Sequence, residues 1–342
     1  MKTRIALFLF TILMVVATGC GKRITDLEQV SPDEKIVIKF SHVVSENTPK
    51  GLAAKRFASL VKERTRGRVE VQVFPNSTLY KDGEEIQALQ SGAVQIIAPT
   101  TSKLSAIYPQ WQVFDLPYAF PDENAVHKAM NGHIGEKLYA GLKQNNLLAL
   151  AFWDNGFKQM TNSLKPLIHP TDFQGMSFRV MINSKVLKKQ FEKLGAYPVE
   201  GTFDDLYRVL ESHTVDGQEN TMSNIYSKNL YKVQPYLTIS NHGYMGYVVM
   251  TNADFWSKLP DDIRSILENT MLEVTVWERE QALKMDGECL KSVTSSGTVQ
   301  VHLQTEEEKK EWIRLLKPIY SEFSEIIGEE IMNSIVELDD KV

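Results

Sequence analysis

Apolar positions along the chain fall into short runs with two spacings. Residues 36–40 form a brief apolar strand, and residues 41–49 form a polar loop. Between residues 50 and 66, Leu52, Ala53, Phe57, Leu60 and Val61 share one helical face, and Gly67 is a natural stop. Val69, Val71 and Val73 alternate with polar residues, as in a strand. Asp82 stands where it could cap a short helix through Gln90, and residues 94–98 read as a buried strand. Further strands are predicted over 147–153 and 176–180. Strands alternating with helices predict an α/β fold with mainly parallel strands.

One stretch recurs. Ile86, Leu89, Ser91 and Val94 lead to Thr100, and Tyr207, Leu210, Ser212 and Val215 lead to Thr221 at a constant offset of 121 residues. Phe74-Pro75 and Tyr197-Pro198 lie upstream of the respective copies. Each copy reads as helix, tight link and strand. This predicts two similar α/β domains whose strand ends face a shared crevice, where open α/β sheets bind ligands.

From Pro260 the pattern changes. Residues 261–292 hold no proline and one glycine, Gly287. A helix of that length runs about 45 Å, enough to lie along both domains as a spine. Thr305 and Glu308 form a capping box for a last helix carrying Trp312, Leu315 and Leu316. The charge run 306–311 reads as the solvated face of that helix.

The N-terminus has its own grammar. Lys2 and Arg4 precede an apolar run over 5–16, too short to span a bilayer comfortably and proportioned like a signal-peptide core. It ends in Ala17-Thr18-Gly19-Cys20, which resembles the bacterial lipobox, in which the cysteine becomes the lipidated first residue. Residues 1–19 then form a lipoprotein signal and residues 20–34 a polar lipidated tether. Losing 1–19 removes two positive charges and no negative ones, so the formal net charge goes from −5 to −7. An acyl chain contributes about 0.8 kcal/mol per buried CH₂, and stable anchoring takes more than one. The expected location is extracytoplasmic, tethered to a membrane through Cys20.

With 342 residues, 43% hydrophobic and 24% charged, the composition is that of a soluble globular protein, and the length suggests about two domains. The mild acidity gives no electrostatic footprint for nucleic acid. Two cysteines make no disulfide framework and no cysteine zinc site, and Cys289 reads as a packed helix residue. No nucleophile elbow, phosphate loop, dinucleotide turn or His-Glu-x-x-His pair is present. His133 and Glu136 share a helix face, a weak metal signal. No enzyme, metal or cofactor is expected.

Three cations stand where strand or loop ends would face a crevice: Lys50 after the first loop, Lys158 after Trp153-Asp154-Asn155-Gly156-Phe157, and Arg179 in Met176-Ser177-Phe178-Arg179-Val180. Arginine offers a planar fork that matches a carboxylate bidentately, whereas lysine is a mobile point charge. A diacid in a closed cleft needs close charge compensation, because desolvating an ion costs several kcal/mol. Spacing alone reads Lys50 and Lys158 as ordinary solvated lysines and leaves Arg179 open between surface and ligand roles.

Together these residues resemble a family. Lys39-Phe40-Ser41-His42, Thr48-Pro49-Lys50-Gly51, Asp115-Leu116-Pro117-Tyr118, Asp154-Asn155-Gly156-Phe157-Lys158, Gly175-Met176-Ser177-Phe178-Arg179, Val215-Asp216-Gly217-Gln218-Glu219-Asn220 and Asn241-His242-Gly243-Tyr244 occur in the order found in TRAP (tripartite ATP-independent periplasmic) transporter substrate-binding proteins. The likeness runs from Ile36 to the C-terminus and is strongest to the C4-dicarboxylate branch. It implies a two-domain periplasmic-binding-protein-like α/β fold with a ligand cleft between the domains and a long hinge or spine helix. The implied division is 35–155 with 246–285, and 156–245 with 286–342.

The resemblance also implies a ligand set. Arg179 clamps one carboxylate of succinate, malate or fumarate, and Lys158 and Lys50 hold the other. Asn220 and Thr100 supply neutral hydrogen bonds, and Phe203 and Tyr244 exclude water. Membrane permease subunits are the implied partners. Met181 stands where many relatives have proline, and Gly201-Thr202 where a Met-Ala-like pair is common, which reshapes the pocket wall. The alternatives are a monocarboxylate binder for a 2-oxo or sugar acid, and a ligand-sensing partner of a membrane signalling receptor.

Overall fold

Ten strands form a mixed sheet in the computed structural model, which describes residues 35–339. The signal, Cys20 and the tether lie outside the described residues. The strands are β1 Ile36–Ser41, β2 Val69–Phe74, β3 Ile96–Ile97, β4 Leu147–Asn162, β5 Ser177–Met181, β6 Tyr197–Gly201, β7 Gly217–Thr221, β8 Tyr236–Ile239, β9 Tyr244–Asn252 and β10 Gln300–Leu303. The main path runs β2-β1-β3-β9-β4-β7-β5-β6, with β8 on β4 and β10 on β8.

Two parallel units lie at the ends of that path. β1 pairs parallel with β2 and β3, and β5 pairs parallel with β6 and β7. The repeated stretch recurs down to its backbone bonds. Ala93 N–H donates to Ala88 at 2.9 Å, and Thr214 N–H donates to Val209 at 3.0 Å. Gly92 and His213 both adopt positive φ in the tight link (79° and 52°). Each unit is therefore strand, helix, left-handed turn, strand, and the molecule has two lobes.

Antiparallel pairing enters where the lobes join. β4 is longer than the sequence predicted because Leu147–Asn162 serves both lobes. Residues 147–157 pair with β9, and Lys158 to Asn162 pair with β7. The β4–β9 register shifts between Asp154 and Gly156, where Gly156 takes φ 113°. Glycine reaches that conformation without a Cβ penalty, so the bulge marks where β4 passes from one lobe to the other. β3 is shorter than predicted, at two residues, and the chain then turns into the helix Thr101–Leu104.

The helix Asp261–Ser295 is the expected spine. Ile263, Leu267, Met271 and Val274 join the larger apolar core, while Cys289 and Val293 join a second core with Leu206, Leu210 and Ile225. Cys289 is a free, buried thiol. Trp153 Nε1 donates to Thr275 at 3.0 Å, and the Asp154 N–H donates to Glu278 at 2.9 Å, so the spine grips the crossing strand at its bulge.

Two local expectations resolve differently. The Thr305–Glu308 capping box forms, with Thr305 N–H donating to Glu308 at 2.8 Å. Asp82 caps nothing. The helix begins at Glu85 after Glu84, and the Asp82 carboxylate turns inward to a lysine and to a backbone N–H of the other lobe. His133 lies 3.6 Å from Glu330 instead of joining Glu136 in a ligand set, and no cluster of three metal-ligating side chains occurs among the described residues.

The last helices anchor on the second lobe through Trp312. Its ring is fully buried, lies edge-on to Phe173 at 5.0 Å, and donates to the Ile168 carbonyl at 2.8 Å. Trp312→Ala is expected to cost about 3–5 kcal/mol in a urea titration, the range for truncating a large buried aromatic.

Candidate functional site

Arg179 sits in β5, opposite Gln218 of β7. Asn220 is two residues further along β7, so the pleat puts Arg179, Gln218 and Asn220 on one face. Arg179 is 3% exposed. Its Nε donates to the Gly201 carbonyl at 2.8 Å, and its terminal nitrogens bond to no protein atom. A Cβ at Gly201 would lie 3.3 Å from Arg179 Cγ, so the Gly201 departure makes room for the guanidinium. Burial lowers the Arg179 pKa to about 10, partly opposed by nearby Glu219, and the group stays cationic at neutral pH.

The guanidinium lines a small cavity, about 20 Å³, between the lobes. The first lobe contributes Val43, Val44, Asp82, Thr100 and Lys103, and the second contributes Arg179, Met181, Phe203, Asn220 and Asn224. Met245 and Tyr247 of the crossing strand β9 close it. Thr100, Arg179, Phe203 and Asn220, all singled out from sequence, therefore meet around one cavity. Asn220 accepts from Asn224 Nδ2 at 2.7 Å and donates to Gln218 at 3.2 Å, which fixes its amide. Thr100 Oγ1 reaches Met181 Sδ at 3.9 Å across the cleft.

Lys158, Lys50 and Tyr244 lie outside this lining. Lys158 is buried on β4 and donates to Glu219 Oε1 at 2.6 Å. Its register partner is Thr221, so Glu219 lies on the neighbouring diagonal of the same face. The other Glu219 oxygen bonds His242 at 2.7 Å, and His242 bonds Ser240 at 2.7 Å. Lys50 donates to the Ala98 carbonyl at 2.8 Å and lies 3.7 Å over the Tyr247 ring. It thus supports Tyr247 and the end of β3 from behind. Burial brings the Lys50 pKa down to about 7, against the opposing pull of Glu85 and Glu278. Tyr244 packs edge-on to Phe157 at 5.2 Å and lines a separate hollow beside Asp154 and Asp286.

Sequence reasoning missed Lys103 and misassigned Asp82. Lys103 is buried and bonded to Asp82 Oδ1, and Asp82 Oδ2 accepts the Phe203 N–H at 2.7 Å. A signal was present. The 121-residue offset that relates Thr100 to Thr221 also relates Lys103 to Asn224 and Asp82 to Phe203. All four of these last residues line the cavity, in equivalent places on the two lobes.

Further contacts tie the lobes together. Asp82 N–H donates to Asp204 Oδ2 at 2.8 Å, and Ser77 bonds the other Asp204 oxygen. Ser184 donates to Asp115 at 2.7 Å, and Ser105 donates to the Asn183 carbonyl at 2.7 Å. The lobes are closed on one another. The site offers one unspent guanidinium, neutral amide and hydroxyl groups and aromatic walls, with no nucleophile–base pair. It can hold an anion and shows no arrangement for transforming one.

Residues 40–326 match the family model for bacterial extracellular solute-binding protein, family 7. The C4-dicarboxylate-binding protein DctB of Bacillus subtilis is 48% identical over 94% of this chain and 91% of its own length. The C4-dicarboxylate-binding periplasmic protein DctP of Rhodobacter capsulatus is 43% identical over 88% of this chain and 90% of its own. A crystal structure of a TRAP periplasmic solute-binding protein from Sulfurospirillum deleyianum, with bound succinate, superposes with a TM-score of 0.86 at 40% identity, covering 88% of this chain and 98% of that one.

The buried triad sets an acid limit. Burial alone would raise the Glu219 pKa, but Lys158 and His242 outweigh it and hold the carboxyl down at about 2, against an ordinary 4.5. A carboxyl depressed in the folded state adds stability above its unfolded pKa, and that stability fades as pH falls towards the folded value. Urea midpoints should therefore drop between about pH 4.5 and pH 2, and the double variant Lys158→Met/Glu219→Gln should show a shallower drop over the same window.

Proposed function

The chain belongs to the family 7 bacterial extracellular solute-binding proteins, and from that membership we propose that it is the receptor of a TRAP transporter for a C4-dicarboxylate such as succinate, malate or fumarate. The family is a non-enzymatic transport component that works outside the cytoplasm. The observation that carries the reading is the Arg179 guanidinium, buried in a small cavity between two lobes with both terminal nitrogens free of protein partners.

In this reading Arg179 takes one carboxylate bidentately, Asn220 and Thr100 add neutral hydrogen bonds, and Phe203 covers the ligand from the second lobe. Lys158, Lys50 and Tyr244 act from behind the wall. Because residues from both lobes face the ligand, it binds the closed form better than the open one, and only such a differential affinity shifts the equilibrium. The closed receptor then delivers its acid to membrane permease subunits. We assign 35–155 with 246–285 to one lobe and 156–245 with 286–342 to the other, with Cys20 as the lipidated membrane anchor.

Asp82 supports a second reading. It already neutralises Lys103, so Arg179 is the remaining uncompensated charge of the lining, which suits a monocarboxylate. Succinate and butyrate, equal in chain length, separate the two readings by calorimetry. Arg179→Ala should weaken succinate binding at least a hundredfold, about 2.7 kcal/mol. Unchanged affinity would remove the clamp. Cys20→Ser should move the chain from the membrane to the soluble fraction and abolish labelling by a radioactive fatty acid.

A further inference from the structure

Lys103 is 4% exposed and lines the cavity. An ammonium carries three N–H donors, and only one of them, to Asp82 Oδ1, has a protein acceptor. The other two are unspent. The remaining buried lysines of the neighbourhood also donate to one acceptor each, but neither lines the cavity. Lys158 is spent on Glu219 off the cavity, and Lys50 is spent on the Ala98 carbonyl and the Tyr247 ring.

Asp82 is held on both sides. Its second oxygen accepts the Phe203 N–H at 2.7 Å, and its own N–H donates to Asp204 at 2.8 Å, both in the second lobe. The position of Lys103 is therefore tied to closure of the lobes. A buried ion pair is a poor way to gain stability, because desolvating the two charges offsets their attraction. Placed at a cavity wall, it keeps a cation ready at a fixed point.

We propose that Lys103 takes the second carboxylate of the ligand across the cavity from Arg179, and that Asp82 is the positioning residue that aims Lys103 and couples it to closure. This rests on the dicarboxylate reading of the same cavity. The first lobe then offers Lys103 and Thr100, and the second offers Arg179 and Asn220, a charge and a neutral donor from each side. A monoacid engages one charge and a diacid engages both, so the diacid alone bridges the lobes through ionic contacts at its two ends. Burial first, and then the nearby positive charges of Lys50 and Arg179, hold the Lys103 pKa well below its usual range. A second carboxylate relieves that repulsion.

The test is titration calorimetry with succinate and with butyrate on the full chain, Lys103→Met, the double variant Asp82→Asn/Lys103→Met, and Arg179→Ala. The double variant removes both members of the Lys103–Asp82 pair, leaving neither one buried alone, and covers the case in which Lys103→Met alone does not fold. The wild-type protein should prefer succinate over butyrate by at least a hundredfold. Both Lys103 variants should bring that ratio to within about threefold of one while butyrate affinity stays within about threefold of wild type, a pattern that a merely structural role would not produce. A ratio kept at its wild-type value in a folded Lys103 variant, with binding lost in Arg179→Ala, overturns this inference alone. A wild-type protein without succinate preference, or Arg179→Ala with unchanged affinity, overturns the dicarboxylate reading and this inference together.

Discussion

A guanidinium withdrawn from water is the constraint around which this molecule is built. Its hydration is lost on folding, and the Gly201 carbonyl replaces only part of it. Isolated charges are not tolerated in a protein interior without compensation. The Arg179 fork thus stores an unmet demand for an anion, and the surrounding strands serve to hold that demand in one place. β5 is flanked on both sides by parallel strands, so the fork is fixed by a rigid sheet rather than by a loop.

The second element of the design is that one wall is not enough. The cavity takes residues from both parallel units and from β9, which runs between them. The units share β4 and β9, and the spine helix packs into the cores of both, so the connection is narrow but continuous. The bulge at Asp154 and Gly156 gives β4 a place to bend without breaking its ladder. Closure is secured by contacts that depend on both lobes at once, notably Asp82 with Phe203 and Asp204, and Asp115 with Ser184.

Charge compensation explains why cations of similar sequence appearance have different fates. Lys158, Lys50 and Lys103 are all buried. Lys158 donates to Glu219, which His242 also holds, and Lys50 donates to a carbonyl and lies over an aromatic face, both off the cavity, whereas Lys103 donates to Asp82 at the cavity wall. The residue left with spare donors at the cavity wall is the one that binding chemistry can use.

What the sequence determined by itself was local or periodic. β1 follows from a short apolar run, β2 from an alternation of two, the spine helix from a stretch with no proline and one glycine, and the Thr305–Glu308 box from a spacing of three, all of which neighbouring residues settle among themselves. The repeat at 121 residues announced two like units, while apolar neighbours in an alternating strand left Arg179 open between a surface and a ligand role. Which lysine meets the cavity was not legible, because an ion pair is decided by what lies across from it. The partner of Lys158 is 61 residues away and that of Lys103 is 21 away, and Asp82 gave up a capping role for a bond to the other lobe. Only the folded arrangement brings such groups together, and burial, which makes their pairing obligatory, exists only once the lobes have formed.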